Sequence, residues 1–169
     1  MFTYICLGTN DLTRAIRFYD PTLAALGLRR CVPDDVDPGD PGANHHGESK
    51  LGENNLATGD LGTSEPAGDW TAAGWGTYQN SGAKEIALWL CTPFNHRAAT
   101  PGNGTMVAFS AKSWREVDGF HAAAVANGGS SEGPPGLRPQ YNPDFYAAYV
   151  RDPDGNKLAA VCRGFTSPA

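Results

Sequence analysis

At 169 residues, 40% of them apolar, the chain is long enough for one domain with a sizeable core or for two small fused repeats, and no apolar run approaches the roughly 18 residues of a membrane helix. The net charge of −5 is unevenly spread: residues 34–69 hold six Asp, three Glu and one Lys, a local −8, so the remainder is mildly basic and no basic stripe speaks for nucleic acid. No secretory leader is visible, and Cys6, Cys31, Cys91 and Cys162 are scattered without a C-x-x-C pair; this reads as reduced, mostly buried thiols of a cytoplasmic protein, with a disulfide as the alternative.

In chain order, Phe2 to Gly8 alternates and is β-prone, a first strand. Asn10 or Asp11 can cap the helix that follows, in which Leu12, Ala15, Ile16, Tyr19, Leu23 and Leu26 recur at helical spacing and Gly27 ends the pattern. Pro21 lies inside it, so a kink or break after Tyr19 is expected. Leu28 to Val32 is a short second strand. Residues 34–69 are dense in Gly, Pro, Asp and Asn with few apolar anchors, which reads as a long, mobile insertion. Ala72 to Tyr78 and Glu85 to Cys91 then form a hairpin around Gln79-Asn80-Ser81-Gly82, and residues 92–103 a loop. Thr105 to Ser110 is a fifth strand, Ser113 caps a second helix, and Gly128-Gly129 ends it. After a loop over GGSSEGPPGLRPQYNP comes a closing hairpin, FYAAYV and KLAAVC around Asp152-Pro153-Asp154-Gly155-Asn156. Pro153 presets the turn there, and Asp154-Gly155 tolerates positive φ.

The strongest organisational signal is a repeat. Phe18 and Phe120, and Gly27 and Gly129, are each separated by 102 residues, and the same offset carries Tyr4 onto Met106. The chain therefore reads as α+β, βαβββ twice, with the first copy (1–91) interrupted by the 34–69 insertion and the second spanning 104–163. Two copies side by side bury part of the face that each would leave bare, and leave a cleft.

The stretches LGTNDLTRAIRFYDPTLAALGL, GNGTMVAFSA with VDGFHAAAVANGG, and above all FYAAYVRDPDGNKLAAVC resemble the vicinal oxygen chelate superfamily, which includes glyoxalases, bleomycin-resistance proteins and extradiol dioxygenases. The resemblance implies paired βαβββ modules whose sheets wrap a pocket, commonly holding a divalent metal, and often a homodimer. It also implies four inward ligand positions, on the first, fourth, fifth and eighth strands. The residues standing there are Tyr4, Trp89, Met106 and Ala159 in place of His or Glu. A phenol, an indole, a thioether and a methyl group are poor ligands for a hard divalent ion, so the cofactor expectation is none, a divalent metal being the alternative.

The expected ligand-binding set is Tyr4, Cys6, Trp89, Met106, Arg138, Tyr141, Tyr149 and Ala159. Alternation puts Tyr4 and Cys6 on one face, while the resemblance places Tyr149 in the pocket, a core aromatic being its other reading. Arg138 either holds an anionic group by its fork or caps its loop, and Tyr141 beside it can stack on a ligand. His45-His46 read as solvated loop residues, with a weak external metal site beside Asp40 and Glu48 as the alternative; His96 reads as an exposed loop residue and His121 as a satisfied helix residue. Two functions follow: a metal-free protein binding a small amphipathic or aromatic molecule, or a glyoxalase-like lyase or dioxygenase relative with a displaced metal or with acid-base chemistry by Tyr4 or Tyr149.

Overall fold

The computed structural model describes residues 3–31, 71–78 and 84–164. The expected insertion with His45-His46 and the turn at 79–82 lie outside them.

The first module runs β1 (Ile5–Gly8), α1 (Leu12–Ala24), β2 (Arg29–Cys31), β3 (Ala72–Tyr78) and β4 (Lys84–Cys91). The second runs β5 (Val107–Ser110), α2 (Trp114–Ala126), β6 (Ser130–Leu137), β7 (Phe145–Arg151) and β8 (Lys157–Arg163). Each makes one four-stranded sheet, ordered β1-β4-β3-β2 and β5-β8-β7-β6, in which only the first strand pairs in parallel, with the last. The chain is thus α+β, with βαβββ twice. The two helices sit 102 residues apart along their whole length, as the repeat required.

Both helix starts follow from local chemistry. The Asp11 side chain accepts from Arg14 N–H at 2.9 Å, and Ser113 Oγ accepts from Glu116 N–H at 3.2 Å. Glu116 reaches back to accept from Lys112 N–H at 2.6 Å, so α2 starts with a reciprocal cap. The helices end on left-handed glycines, Gly27 (φ +75°) and Gly128 (φ +92°). The second is one residue earlier than the 102-residue offset implies. Gly129 serves packing instead: a Cβ there would lie 2.6 Å from the Phe18 ring and 2.7 Å from the Arg151 carbonyl oxygen.

Four expectations need correction. The helix does not break at Pro21; α1 continues to Ala24, because Phe18, Tyr19, Thr22 and Leu23 are all buried on one face and that burial outweighs one lost hydrogen bond. β1 and β5 are shorter than expected, starting at Ile5 and Val107, where pairing with β4 and β8 begins at Leu88 and Leu158. The segment SSEGPPGL, read as loop, is β6. It pairs with β7 at the sheet edge through two register shifts, around Gly133 and before Gly136, and an edge strand with bulges is where a Gly- and Pro-rich segment can join a sheet.

One apolar cluster spans both modules. Leu88 and Leu90, Val107 and Phe109, Ala148 and Val150, and Leu158 and Ala160 turn toward the helices, where Phe18, Leu23, Val117 and Phe120 are fully buried. The helices pack on each other, with Gly119 giving the close approach: a Cβ on it would lie 3.4 Å from Ala25 Cβ. The alternate residue of each strand is thereby sent to the helix-free face of its sheet.

Candidate functional site

On the helix-free face of the first sheet, Cys6 of β1 is in register with Trp89 of β4, and Trp89 with Gly74 of β3. On the second sheet, Ala108, Ala159, Tyr149 and Gly133 fall in one row across β5, β8, β7 and β6. Gly133 gives the Tyr149 ring its place, since a Cβ there would stand 2.9 Å from Tyr149 Cδ2. Two cations flank that ring: Arg138 lies 5.5 Å and Lys157 Nζ 5.8 Å from its centroid.

On the second module, the segment Pro101 to Met106 with Arg151 and Lys157 lines an open cavity of about 550 Å³. A smaller one, about 170 Å³, lies against Cys6 and Gly8 of β1 and shares Gly102, Thr105 and Lys157 with the first. The polar groups here form a chain. Glu132 of β6 pairs with Lys157 Nζ at 2.9 Å and with the Arg151 guanidinium, and these hydrogen bonds hold its carboxyl below the usual carboxylate range. Arg151 Nη1 also donates to the Gly155 carbonyl at 2.7 Å.

The sequence-predicted residues divide accordingly. Cys6 and Met106 line the cavities; Met106 stands just ahead of β5 and is 45% exposed. Tyr4, just ahead of β1, is 51% exposed, and Trp89 is half-buried beside Cys6. Ala159 is wholly buried. Tyr149 stands on the helix-free face, since its neighbours Ala148 and Val150 enter the core. Arg138 does what the loop-capping alternative described, donating to the carbonyls of Pro134 at 2.7 Å and Leu137 at 3.2 Å. Tyr141 is exposed and packs edge-on against Phe145, 5.3 Å between centroids, away from the cavities. His121 Nε2 is 2.8 Å from Ser131 Oγ, a satisfied helix residue, and His96 is exposed. Burial lowers the pKa of His121 below its ordinary value, against an opposing pull from Asp118.

Arg151, Lys157, Glu132 and Cys91 went unpredicted. The period of two that reached Tyr149, Ala159 and Trp89 reaches Arg151, Lys157 and Cys91 in one further step. Glu132 had no such signal, because β6 was read as a loop. Among the described residues no three His, Cys, Asp or Glu side chains gather as a metal cluster. None of the described helices is long and apolar enough to cross a membrane.

Residues 2–160 match the family model described as Glyoxalase/Bleomycin resistance protein/Dioxygenase superfamily. A glyoxalase/bleomycin resistance protein from Albidiferax ferrireducens T118 is 31% identical, with a TM-score of 0.63 over 96% of this chain and 99% of its own. A glyoxalase/bleomycin resistance protein/dioxygenase family enzyme from Burkholderia phytofirmans PsJN shares the fold at 15% identity, TM-score 0.56, covering 96% of this chain and 98% of its own. A glyoxalase I mutant from Zea mays does so at 21% identity and TM-score 0.51, with 94% of this chain spanning 44% of that one. Among curated proteins no relative matches.

Proposed function

From the premise that the chain belongs to the glyoxalase/bleomycin resistance protein/dioxygenase superfamily, we propose that it binds a small amphipathic molecule in the cleft between its modules without a divalent metal. The observation that carries this reading is the donor set at the four positions where the family resemblance implies ligands: Tyr4, Trp89, Met106 and Ala159 supply no carboxylate and no imidazole. Ala159 is moreover fully buried, so water has no open path to stand in for a ligand there. These residues do not fit a hard cation.

What the cleft offers is aromatic surface and positive charge. Trp89 and Tyr149 stand on the two helix-free faces, and Lys157 and Arg151, both paired with Glu132, line the larger cavity. Stacking on such rings contributes about 0.5–1.5 kcal/mol per aromatic pair beyond area burial, and a Lys-Arg wall selects a carboxylate or phenolate. The ligand class is therefore an aromatic or amphipathic anion. Tyr4 and Met106, half-exposed at the ends of the two edge strands, suit a homodimer in which a second copy covers them.

Calorimetry with Ni(II) and Zn(II) tests the reading on the native chain: no stoichiometric binding is expected, whereas Tyr4→His, Met106→His and Ala159→Glu together should create it. Light scattering on the same sample should give twice the 17.9 kDa chain mass. One tightly bound ion per native chain, lost on Tyr4→Phe, would revive a metal-dependent lyase or dioxygenase-related enzyme.

A further inference from the structure

Two of the four cysteines, 85 residues apart in sequence, meet on the cleft wall. Cys6 Sγ and Cys91 Sγ are 3.0 Å apart, within thiol-thiol hydrogen-bond distance, and all four cysteines are free. The register explains the meeting. Cys91 is paired with Gly8, not with Cys6, so no side chain stands beside Cys91 on β1 and the Cys6 sulfur leans diagonally into the gap. The two sulfurs differ in environment. Cys6 is exposed and lines the smaller cavity with Thr105, Asn156 and Lys157, a wall that includes a cation and no carboxylate. Cys91 is buried, and its thiol also donates weakly to the Leu7 carbonyl at 3.9 Å.

We propose that Cys6 and Cys91 are a redox-active dithiol that a hydroperoxide, entering at the cleft, closes to an intramolecular disulfide. The exposed Cys6, as thiolate, attacks one peroxide oxygen; the O–O bond breaks, the departing oxygen leaves as water or alcohol after taking a proton, and Cys6 becomes a sulfenic acid. Cys91 then attacks Cys6 Sγ. The S–S bond forms as the S–O bond breaks, and the expelled hydroxide takes the Cys91 proton and leaves as water. Two thiols are oxidised by two electrons and one hydroperoxide is reduced by two. Burial, then the hydrogen bond with Cys6, push Cys91 up to about 12, which keeps it a thiol until Cys6 has been oxidised and assigns it the resolving role. A disulfide bond of about 2.05 Å requires the sulfurs to approach by roughly 1 Å more. The product would tie edge strand β1 to β4 and remove the Cys6 thiol from the cavity.

The test uses the full-length chain, reduced and then treated with hydrogen peroxide. The expected result is a loss of two hydrogen masses per chain, with titratable thiols in denaturant falling from four to two, and a Cys6–Cys91 linked peptide after digestion without reductant. Reductant should restore all four. Cys6→Ser, at an exposed position, should abolish the loss, while Cys31→Ser should leave it intact. Overturning results are an over-oxidised Cys6 with Cys91 still free, a disulfide between chains, or an intramolecular bridge that persists in Cys6→Ser. None of these readouts depends on what the cleft binds.

Discussion

Equivalent helix positions in the two modules meet different fates. Tyr19 and His121 are 102 residues apart, each the eighth residue of its helix. Tyr19 is fully buried and donates to Asp152 Oδ2 at 2.7 Å, reaching the closing turn of the other module. His121 is only half-buried and stays with Ser131 of its own module. The partner that Tyr19 finds is the closing turn of the second module. Asp152 gathers four donors: Tyr19 O–H, Asp154 N–H, and the Asn156 backbone and side-chain N–H groups. Asp154 reaches the first module, accepting from Thr9 O–H at 2.6 Å, from Asn10 twice at 3.1 Å and from Arg14 at 2.8 Å, while Asn156 Nδ2 donates to the Gly8 carbonyl. The stretch between β3 and β4, Gln79-Asn80-Ser81-Gly82, has no carboxylate in its sequence. A repeated helix thus does not imply a repeated contact. The D-P-D-G-N turn is both the tip of a hairpin and the polar clasp between modules.

The comparison breaks most sharply at Asp152. Asp152→Ala leaves Tyr19 O–H and the turn amides without their acceptor inside the protein, and it should cost about 3–5 kcal/mol in urea unfolding. A loss below about 1 kcal/mol would mean that the clasp is incidental to stability.

A smaller effect sharpens the contrast between the helices. Tyr19→Phe removes one buried donor and should cost about 1–3 kcal/mol, while His121→Ala, at the surface, should stay within about 1 kcal/mol. Equal costs in the same denaturation assay would show that the two positions are energetically alike despite their geometry.

The smallest expected effect is a pH dependence. Against the opposing influence of burial, hydrogen bonds from Thr9 and Asn10 and the charge of Arg14 hold Asp154 below its ordinary value near 3.8. A depressed folded-state pKa contributes stability that is fully present above that ordinary value and lost as pH falls through the lower, folded one. The native chain should therefore lose stability as acid is added below about pH 4, and Asp154→Asn should be less stable at neutral pH with a flatter acid limb. Thermal unfolding between pH 2 and pH 7 measures both; parallel curves would show that Asp154 is not a linkage group.

Apart from β6, the order and type of the described elements were legible in the sequence because they rest on local signals: the caps at Asp11 and Ser113, the glycine stops, the alternation of FYAAYV and KLAAVC, and a 102-residue repeat. Which residues share a strand face was legible too, since a period of two needs only one correctly placed residue. What tertiary structure alone decided are the features that oppose or exceed local preference. Pro21 stays inside a helix because burial of Phe18 and Leu23 outweighs one hydrogen bond, and SSEGPPGL becomes β6 because β7 offers it an edge. Cys6 and Cys91 meet only because β1 pairs in parallel with β4 in a register that sets Gly8 against Cys91. Contacts between residues 85 to 145 positions apart depend on strand register and on how two modules dock, and no local propensity encodes either.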